Sequence, residues 1–467
     1  MNATSTIQNY SVELRSPAAL RPYEKNARRH SKAQLKQIAA SIQRFGFTNP
    51  VLISDDGEII AGHGRVEAAK KLGLTSVPTV RLSHLSPDER RAYVLADNKL
   101  ALNAGWDTEL LAIELQALID LDFDVALTGF SVAEIDLTLD SARESAPERT
   151  QAPEDQVVVA AGAPVTRSGD VWILGRHRLV CGDARDPSAY AAVMPGEQAG
   201  LVFTDPPYNV PIDGHVTGLG KQRHREFAMA SGEMSKAAFT AFLTETLACS
   251  AGACRNGAIA FVCMDWRHMD ELLDAGQAVF SELKNLCVWN KTNGGMGTFY
   301  RSKHELVFVF KVGDAPHINN FGLGDGGRYR TNVWDYPGVS SMSASRKAAL
   351  EMHPTVKPTA LVADAIRDCS ARGDIVLDAF AGSGTTLIAA ETCGRLARLI
   401  EFDPIYCDTI LRRFETYTGK SARLLSTGQS FEDVAATRAP TSGDAPPTPS
   451  APQSPCHNEH GPAYAAT

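Results

Sequence analysis

Leu201-Val202-Phe203-Thr204-Asp205-Pro206-Pro207-Tyr208 decides how this chain of 467 residues is read. The apolar run is a strand, and an acid, two prolines and an aromatic end it. The prolines remove two backbone donors and fix two φ angles. The residue before each is pushed out of the helical region. The resulting turn holds a carboxylate, two backbone carbonyls and an aromatic ring at one strand end. That set suits an exocyclic amine on a flat ring: the oxygens accept its hydrogens and Tyr208 stacks on the ring. Taken alone, the stretch reads equally well as a proline-capped strand end.

Around it, from about 166 to 426, apolar strands alternate with helices. Strands are expected at Val171-Leu174, Arg178-Cys181, Leu201-Thr204, Ala258-Cys263, Leu286-Trp289, Leu306-Phe310, Ile375-Asp378 and Leu399-Glu401. The pattern predicts an α/β sheet with helices on both faces. Late in it, Asp374-Ile375-Val376-Leu377-Asp378-Ala379-Phe380-Ala381-Gly382-Ser383-Gly384-Thr385-Thr386 reads as strand, glycine turn and helix start. Gly382 and Gly384 let the backbone approach a ligand, and the helix start offers free N–H donors. Glu401 ends the next strand, where an acid could bind ribose hydroxyls. A third glycine at dinucleotide spacing and a phosphate-loop Gly-Lys-Ser/Thr are both lacking, so a nucleoside without pyrophosphate fits better. Between the two constellations, His353-Pro354-Thr355-Val356-Lys357-Pro358 is extended before a helix from Thr359, and Lys357 could pair with a carboxylate near the glycine turn.

Composition narrows the function. The net charge of -8 excludes a uniformly basic nucleic-acid binder but not a locally basic face. The nine cysteines form no Cys-x-x-Cys pair and lie mostly in apolar runs, so no metal site is expected and a reducing cytoplasm fits. No apolar run approaches the ~20 residues of a membrane span, and the polar N-terminus lacks a signal-peptide core. By composition, residues 1–15 read as loose, 16–137 as a mainly helical domain, 138–165 as a linker, 166–430 as the α/β domain, and 431–467 as a disordered tail. In the helical domain, Leu35, Ile38, Ala39 and Ile42 recur at helical spacing behind the cap Ser31.

Jointly these pieces resemble the S-adenosylmethionine-dependent DNA methyltransferases that methylate N6 of adenine or N4 of cytosine. The order, acid-proline corner before glycine turn, is similar to the permuted beta group of that family, whose fold is a permuted Rossmann-like sheet. Cys181-Gly182-Asp183, Trp289-Asn290-Lys291, Ser302-Lys303-His304-Glu305 and Asn332-Val333-Trp334 match further. The resemblance implies that Asp205, Pro206, Pro207 and Tyr208 hold and stack the flipped-out base. It also implies a cofactor site of Asp183, Thr355, Lys357, Asp378, Phe380, Gly382, Gly384, Thr385 and Glu401, with catalysis by positioning and without metal. Asp rather than Ser at 205 favours adenine; N4-cytosine methylation, or a regulatory DNA binder with an inert catalytic domain, are the alternatives. The partner implied is double-stranded DNA, read between about 212 and 350, and a homodimer is left open. Positions 290–350 hold eight Lys and Arg against four Asp and Glu. Lys221, Arg223, Arg225, Lys291, Lys303, Arg328 and Arg330 are the candidate DNA-binding residues.

Residues 16 to about 110 resemble the N-terminal domain of ParB-type partition proteins: Asn26-Ala27-Arg28-Arg29-His30, Phe47-Thr48-Asn49-Pro50-Val51, Ile60-Ala61-Gly62-His63-Gly64-Arg65 and Val77-Pro78 carry the likeness. Where that family has Gly-Glu-Arg-Arg, this chain has Gly62-His63-Gly64-Arg65, lacking the glutamate and one arginine that the nucleotide chemistry needs. The resemblance implies an α+β accessory module that binds DNA or a partner. The partition family's separate helix-turn-helix is not evident in the sequence.

Overall fold

The computed structural model describes residues 10–121, 123–144, 163–209, 232–291, 294, 299–321, 330–337 and 357–438. At the N-terminal end, β1 (Val12–Arg15), β2 (Val51–Ile53), β3 (Ile59–Ala61) and β4 (Val77–Arg81) form a sheet in the order β1-β4-β2-β3. Helices α1 (Lys32–Phe45), α2 (His63–Lys71) and α3 (Pro87–Asn103) accompany it. Ser31 caps α1 by accepting from Gln34 N–H, and Ser86 with Glu89 forms a reciprocal capping box on α3. Of the expected loose stretch 1–15, residues 1–9 lie outside the described residues, and Val12–Arg15 instead pairs antiparallel with Val77–Val80. A four-residue strand with half-exposed side chains leaves too short a pattern to read.

Next, α4 (Thr108–Asp120) and α5 (Val132–Glu144) pack around Leu115, Val125, Ile135 and Leu139. The expected linker start at 138 therefore lies inside α5. This helix docks on the C-terminal domain through charge. Asp136, 2% exposed, accepts from Arg395 Nη2 at 3.0 Å and from Arg372 Nη1 at 3.2 Å. Arg367 Nη2 lies 2.8 Å from Asp140.

The C-terminal domain runs β5 (Val171–Leu174), β6 (His177–Cys181), α6 (Pro187–Val193), β7 (Ala199–Thr204), α7 (Lys236–Gly252), β8 (Cys254–Met264), α8 (Met269–Val279), β9 (Glu282–Asn290), β10 (His304–Lys311), β11 (Val333–Asp335), α9 (Thr359–Cys369), β12 (Ile375–Asp378), α10 (Thr385–Cys393), β13 (Leu396–Glu401), α11 (Pro404–Thr418), β14 (Arg423–Leu424) and α12 (Phe431–Arg438). Its ten strands lie in the order β11-β9-β10-β8-β7-β12-β13-β6-β5-β14. The five central strands, β8 to β6, are parallel. All six residues of β7 are buried, as expected of a strand covered on both faces. Leu201 and Phe203 pack with Leu361, Leu387 and Phe414 of α9–α11; Val202 packs with Tyr190, Phe239 and Leu272 of α6–α8. Helices thus cover both faces of the sheet.

The expected tail boundary at 431 falls on the first residue of α12, and residues 439–467 lie outside the described residues. Phe431 and Val434 of α12 enter the core, and Arg438 pairs with Asp170.

Candidate functional site: an acid-proline corner beside a glycine turn

The strand order turns outward in both directions from the pair β7 and β12: β7 leads to β8, and β12 to β13. Such a switch point leaves a crevice at the carboxyl ends of the strands, where open α/β sheets bind ligands. Asp205 follows β7 and Phe380 follows β12, so two segments far apart in sequence meet at one crevice.

A buried carboxylate pins them together. Asp378 accepts from Thr204 Oγ1 at 3.0 Å, Thr386 Oγ1 at 2.6 Å and Phe380 N–H at 3.1 Å. Burial pushes Asp378 up to about 6, against those bonds. Its oxygens thus serve the chain itself, tying strand end, glycine turn and α10 into one unit.

At the corner, Tyr208 Oη donates to Asp205 Oδ1 at 2.5 Å, and Lys357 Nζ donates to Asp205 Oδ2 at 2.6 Å. Lys357 is 6% exposed; it also donates to Tyr208 Oη at 3.2 Å and stands 3.0 Å from Glu305 Oε2. Lys291 pairs with the other oxygen, Glu305 Oε1. The four groups form a neutral quartet of two acids and two lysines. Burial raises Asp205 despite Lys357. Burial also acts on Glu305, yet Lys357 and Lys291 outweigh it and hold the carboxyl at about 2. Burial works against the ammonium of Lys357, and the charges of Asp205 and Glu305 overcome it and raise the lysine. The turn ends at Asn209, the single residue other than glycine with positive φ (+52°) among the described residues. Its side chain accepts from Gly232 and Met234 N–H and donates to Met234 O, fixing the chain where it leaves the corner.

At the glycine turn, Gly382 (φ +52°) and Gly384 (φ +83°) occupy left-handed backbone, and Gly384 caps α10. A Cβ at Gly384 would stand 3.1 Å from Ile410 Cγ1. Glu401 accepts from Gly382 N–H at 2.7 Å and Asp403 N–H at 2.8 Å, while burial pushes it up to about 7. Phe380 is half-buried, its ring 6.0 Å from Phe242. Thr385 opens α10 and accepts from Arg413. Residues 379–386 contain no lysine or arginine, and an acid sits at the centre of the cradle. That donor set fits a nucleoside with free ribose hydroxyls and disfavours a phosphate. Asp183, past the end of β6, is held by Arg185 at 2.7 Å, which lowers it.

Other candidates lie elsewhere. Thr355, Lys221, Arg223, Arg225 and Arg328 fall outside the described residues. Lys303 is exposed beside β10. Two of the expected phosphate ligands already hold acids within the chain. Lys291 belongs to the quartet and lies 4.6 Å from the Trp289 ring centroid. Arg330 is half-buried, pairs with Asp364 and Asp368 at 3.2 and 3.1 Å, and donates to Tyr336. Counting charges along the chain does not reveal that each already has an acid. The sequence reading also left Glu305 without a role; an acid directly ahead of the apolar run 306–310 was its signal.

Comparison with known proteins follows the same division. Residues 199–412 match the family model N6_N4_Mtase, described as DNA methylase, and residues 1–99 match the ParB N-terminal domain. Residues 109–168 match the ParB-methyltransferase HTH domain, which corrects the expectation that no helix-turn-helix is present; α4 and α5 lie there. The chain is 54% identical over 72 residues to the ParB-like nuclease domain-containing protein YnaK of Escherichia coli, covering 15% of this chain and 83% of that protein. It is 26% identical over 266 residues to the DNA adenine methyltransferase YhdJ of Escherichia coli, covering 52% and 84%. Among solved structures, the M1.HpyAVI–SAM complex aligns with 20% identity and a TM-score of 0.37 over 50% of this chain and 97% of that one.

Proposed function

From the match of residues 199–412 to the DNA methylase family model and of residues 1–99 to the ParB N-terminal domain, we propose that the protein transfers a methyl group from S-adenosylmethionine to N6 of a flipped-out adenine in double-stranded DNA. One observation carries this reading: the acid-proline corner and the glycine turn end adjacent parallel strands and open on the same crevice. Gly382, Gly384 and Phe380 would line the cofactor, and Glu401 would accept from its ribose. Bound S-adenosylmethionine supplies an electrophilic methyl group on a sulfonium centre. Asp205 and the Pro206 carbonyl accept the two hydrogens of the target amine, which keeps the nitrogen lone pair off the ring and aims it across the crevice. Pro207 stiffens that turn, and Tyr208 stacks on the base. The methylated nitrogen carries one proton too many, and Asp205, raised by burial, is the carboxylate in reach to take it. Catalysis is mainly positioning.

Adenine is favoured by Asp at position 205 and by the name of the relative matched over 84% of its length. Lys303 contributes to the phosphate-binding face, with Lys221, Arg223, Arg225 and Arg328 from sequence. Incubation with DNA and labelled S-adenosylmethionine, followed by nucleoside analysis, tests the reaction. N6-methyladenine that disappears in Asp205→Ala is expected. N4-methylcytosine would move the specificity, and no methylated base would overturn the reading.

A further inference from the structure

Asp205 is occupied before any substrate arrives. Tyr208 donates to one of its oxygens and Lys357 to the other. An incoming amine competes with them for those oxygens, and Asp205 accepts it best when one donor turns aside. Tyr208 is bound three residues along the same turn, whereas Lys357 already has a second carboxylate close by. Glu305 Oε2 lies 3.0 Å from Lys357 Nζ and is sealed from solvent; the two are ion-paired, but the ammonium is not aligned on this oxygen as it is on Asp205. Its sister oxygen is held by Lys291. A buried carboxylate oxygen gains from a better-aligned donor.

We infer that Glu305 is the second seat of Lys357: as the target amine enters, the lysine transfers its hydrogen bond from Asp205 Oδ2 to Glu305 Oε2 and unmasks the catalytic corner. The quartet stays neutral throughout, since no proton leaves the lysine and only its partner changes. Lys291 keeps Glu305 from following, because it anchors the other oxygen from the Trp289 side. Glu305 is thus a positioning residue that acts through Lys357. The exchange also makes the ligand-free enzyme a closed form, with Asp205 engaged until an amine competes for it. This inference rests on the reading of Asp205 as the acceptor of the amine.

The test compares Glu305→Gln with wild type in the full-length protein, measuring kcat on DNA, the S-adenosylmethionine Kd and the pH profile. Losing a hydrogen bond to a charged group predicts a fall in kcat of about 10- to 100-fold, with the cofactor Kd unchanged. Asp205 faces Lys357, Glu305, Tyr208, Asp378 and Cys263. Burial raises it most, and the Glu305 charge adds to that, so the acid limb of the kcat profile moves to lower pH in Glu305→Gln. In a Lys357→Met background the Glu305→Gln substitution is expected to change kcat no further. If Glu305→Gln fails to bind cofactor, Glu305→Asp, which withdraws the carboxylate by one methylene but keeps its charge, is expected to lower kcat alike while leaving the acid limb in place. Unchanged kcat, or an equal loss with and without Lys357, would overturn the exchange alone. Absence of transfer by the wild type, or full activity in Asp205→Ala, would instead remove the proposed reaction.

Discussion

Replacing Asp136 by Ala tests how α5 is held. Asp136 is almost fully buried, and its two oxygens serve Arg395, with no exposure, and Arg372. Removing one partner of a buried ion pair costs about 3–5 kcal/mol, because the other charge stays behind unpaired. Arg395 keeps bonds to Ser370 Oγ, Ser370 O and Cys393 O at 3.1, 2.9 and 2.7 Å. Those bonds place the loss near the lower end, about 3 kcal/mol. At roughly 2–4 °C per kcal/mol for a domain of this size, Tm falls by about 6–12 °C. Calorimetry or thermal unfolding followed by circular dichroism measures it. The pair Asp136→Leu with Arg395→Met removes both charges and is expected to recover most of the loss. A shift in Asp136→Ala below about 2 °C, or a double variant worse than the single, would refute the reasoning.

Other outcomes follow from the same geometry. Cofactor affinity weakens as pH falls through about 7, where Glu401 gains a proton and loses an acceptor; Glu401→Gln flattens that dependence in titration calorimetry. The ligand-free protein binds more protons at Asp378 and Glu401 than its unfolded chain does. Their contribution to stability therefore declines as pH rises from about 4 to 7, which denaturant melts across that window would show. Arg330→Ala lowers thermal stability but leaves the salt dependence of DNA binding unchanged, because its acids are Asp364 and Asp368. Lys303→Ala lowers the slope of log K against log salt by about 1 and leaves Tm unchanged.

Strand alternation made the C-terminal sheet readable in advance, because parallel strands covered on both faces are apolar throughout. Ile375–Asp378 and Val171–Leu174 fall where the pattern places them. β1 and β4 were harder: one is short and half-exposed, the other contains Pro78. The corner and the glycine turn were legible because each is local. What joins them was not: the Thr204–Asp378–Thr386 link, the Lys357–Glu305 contact and the burial of Arg330 are long-range pairings that no window of sequence contains. One signal was overlooked. Asp136 stands among Ala133, Ile135 and Leu139, all buried in α5, and a charge on an apolar face implies a buried partner.

The link between Thr204 and Asp378 also sets a timetable. The two residues are 174 positions apart. At ~5–20 residues per second of synthesis, about 9–35 s separate their emergence from the ribosome. During that interval β7, an apolar strand, can pair on its β8 side only, and its other edge waits unpaired for β12. An open apolar edge invites pairing with another chain. A ribosome that stalls before residue 375 therefore releases a sticky half-sheet carrying Asp205, whereas one that passes it closes the edge and completes the crevice in the same event.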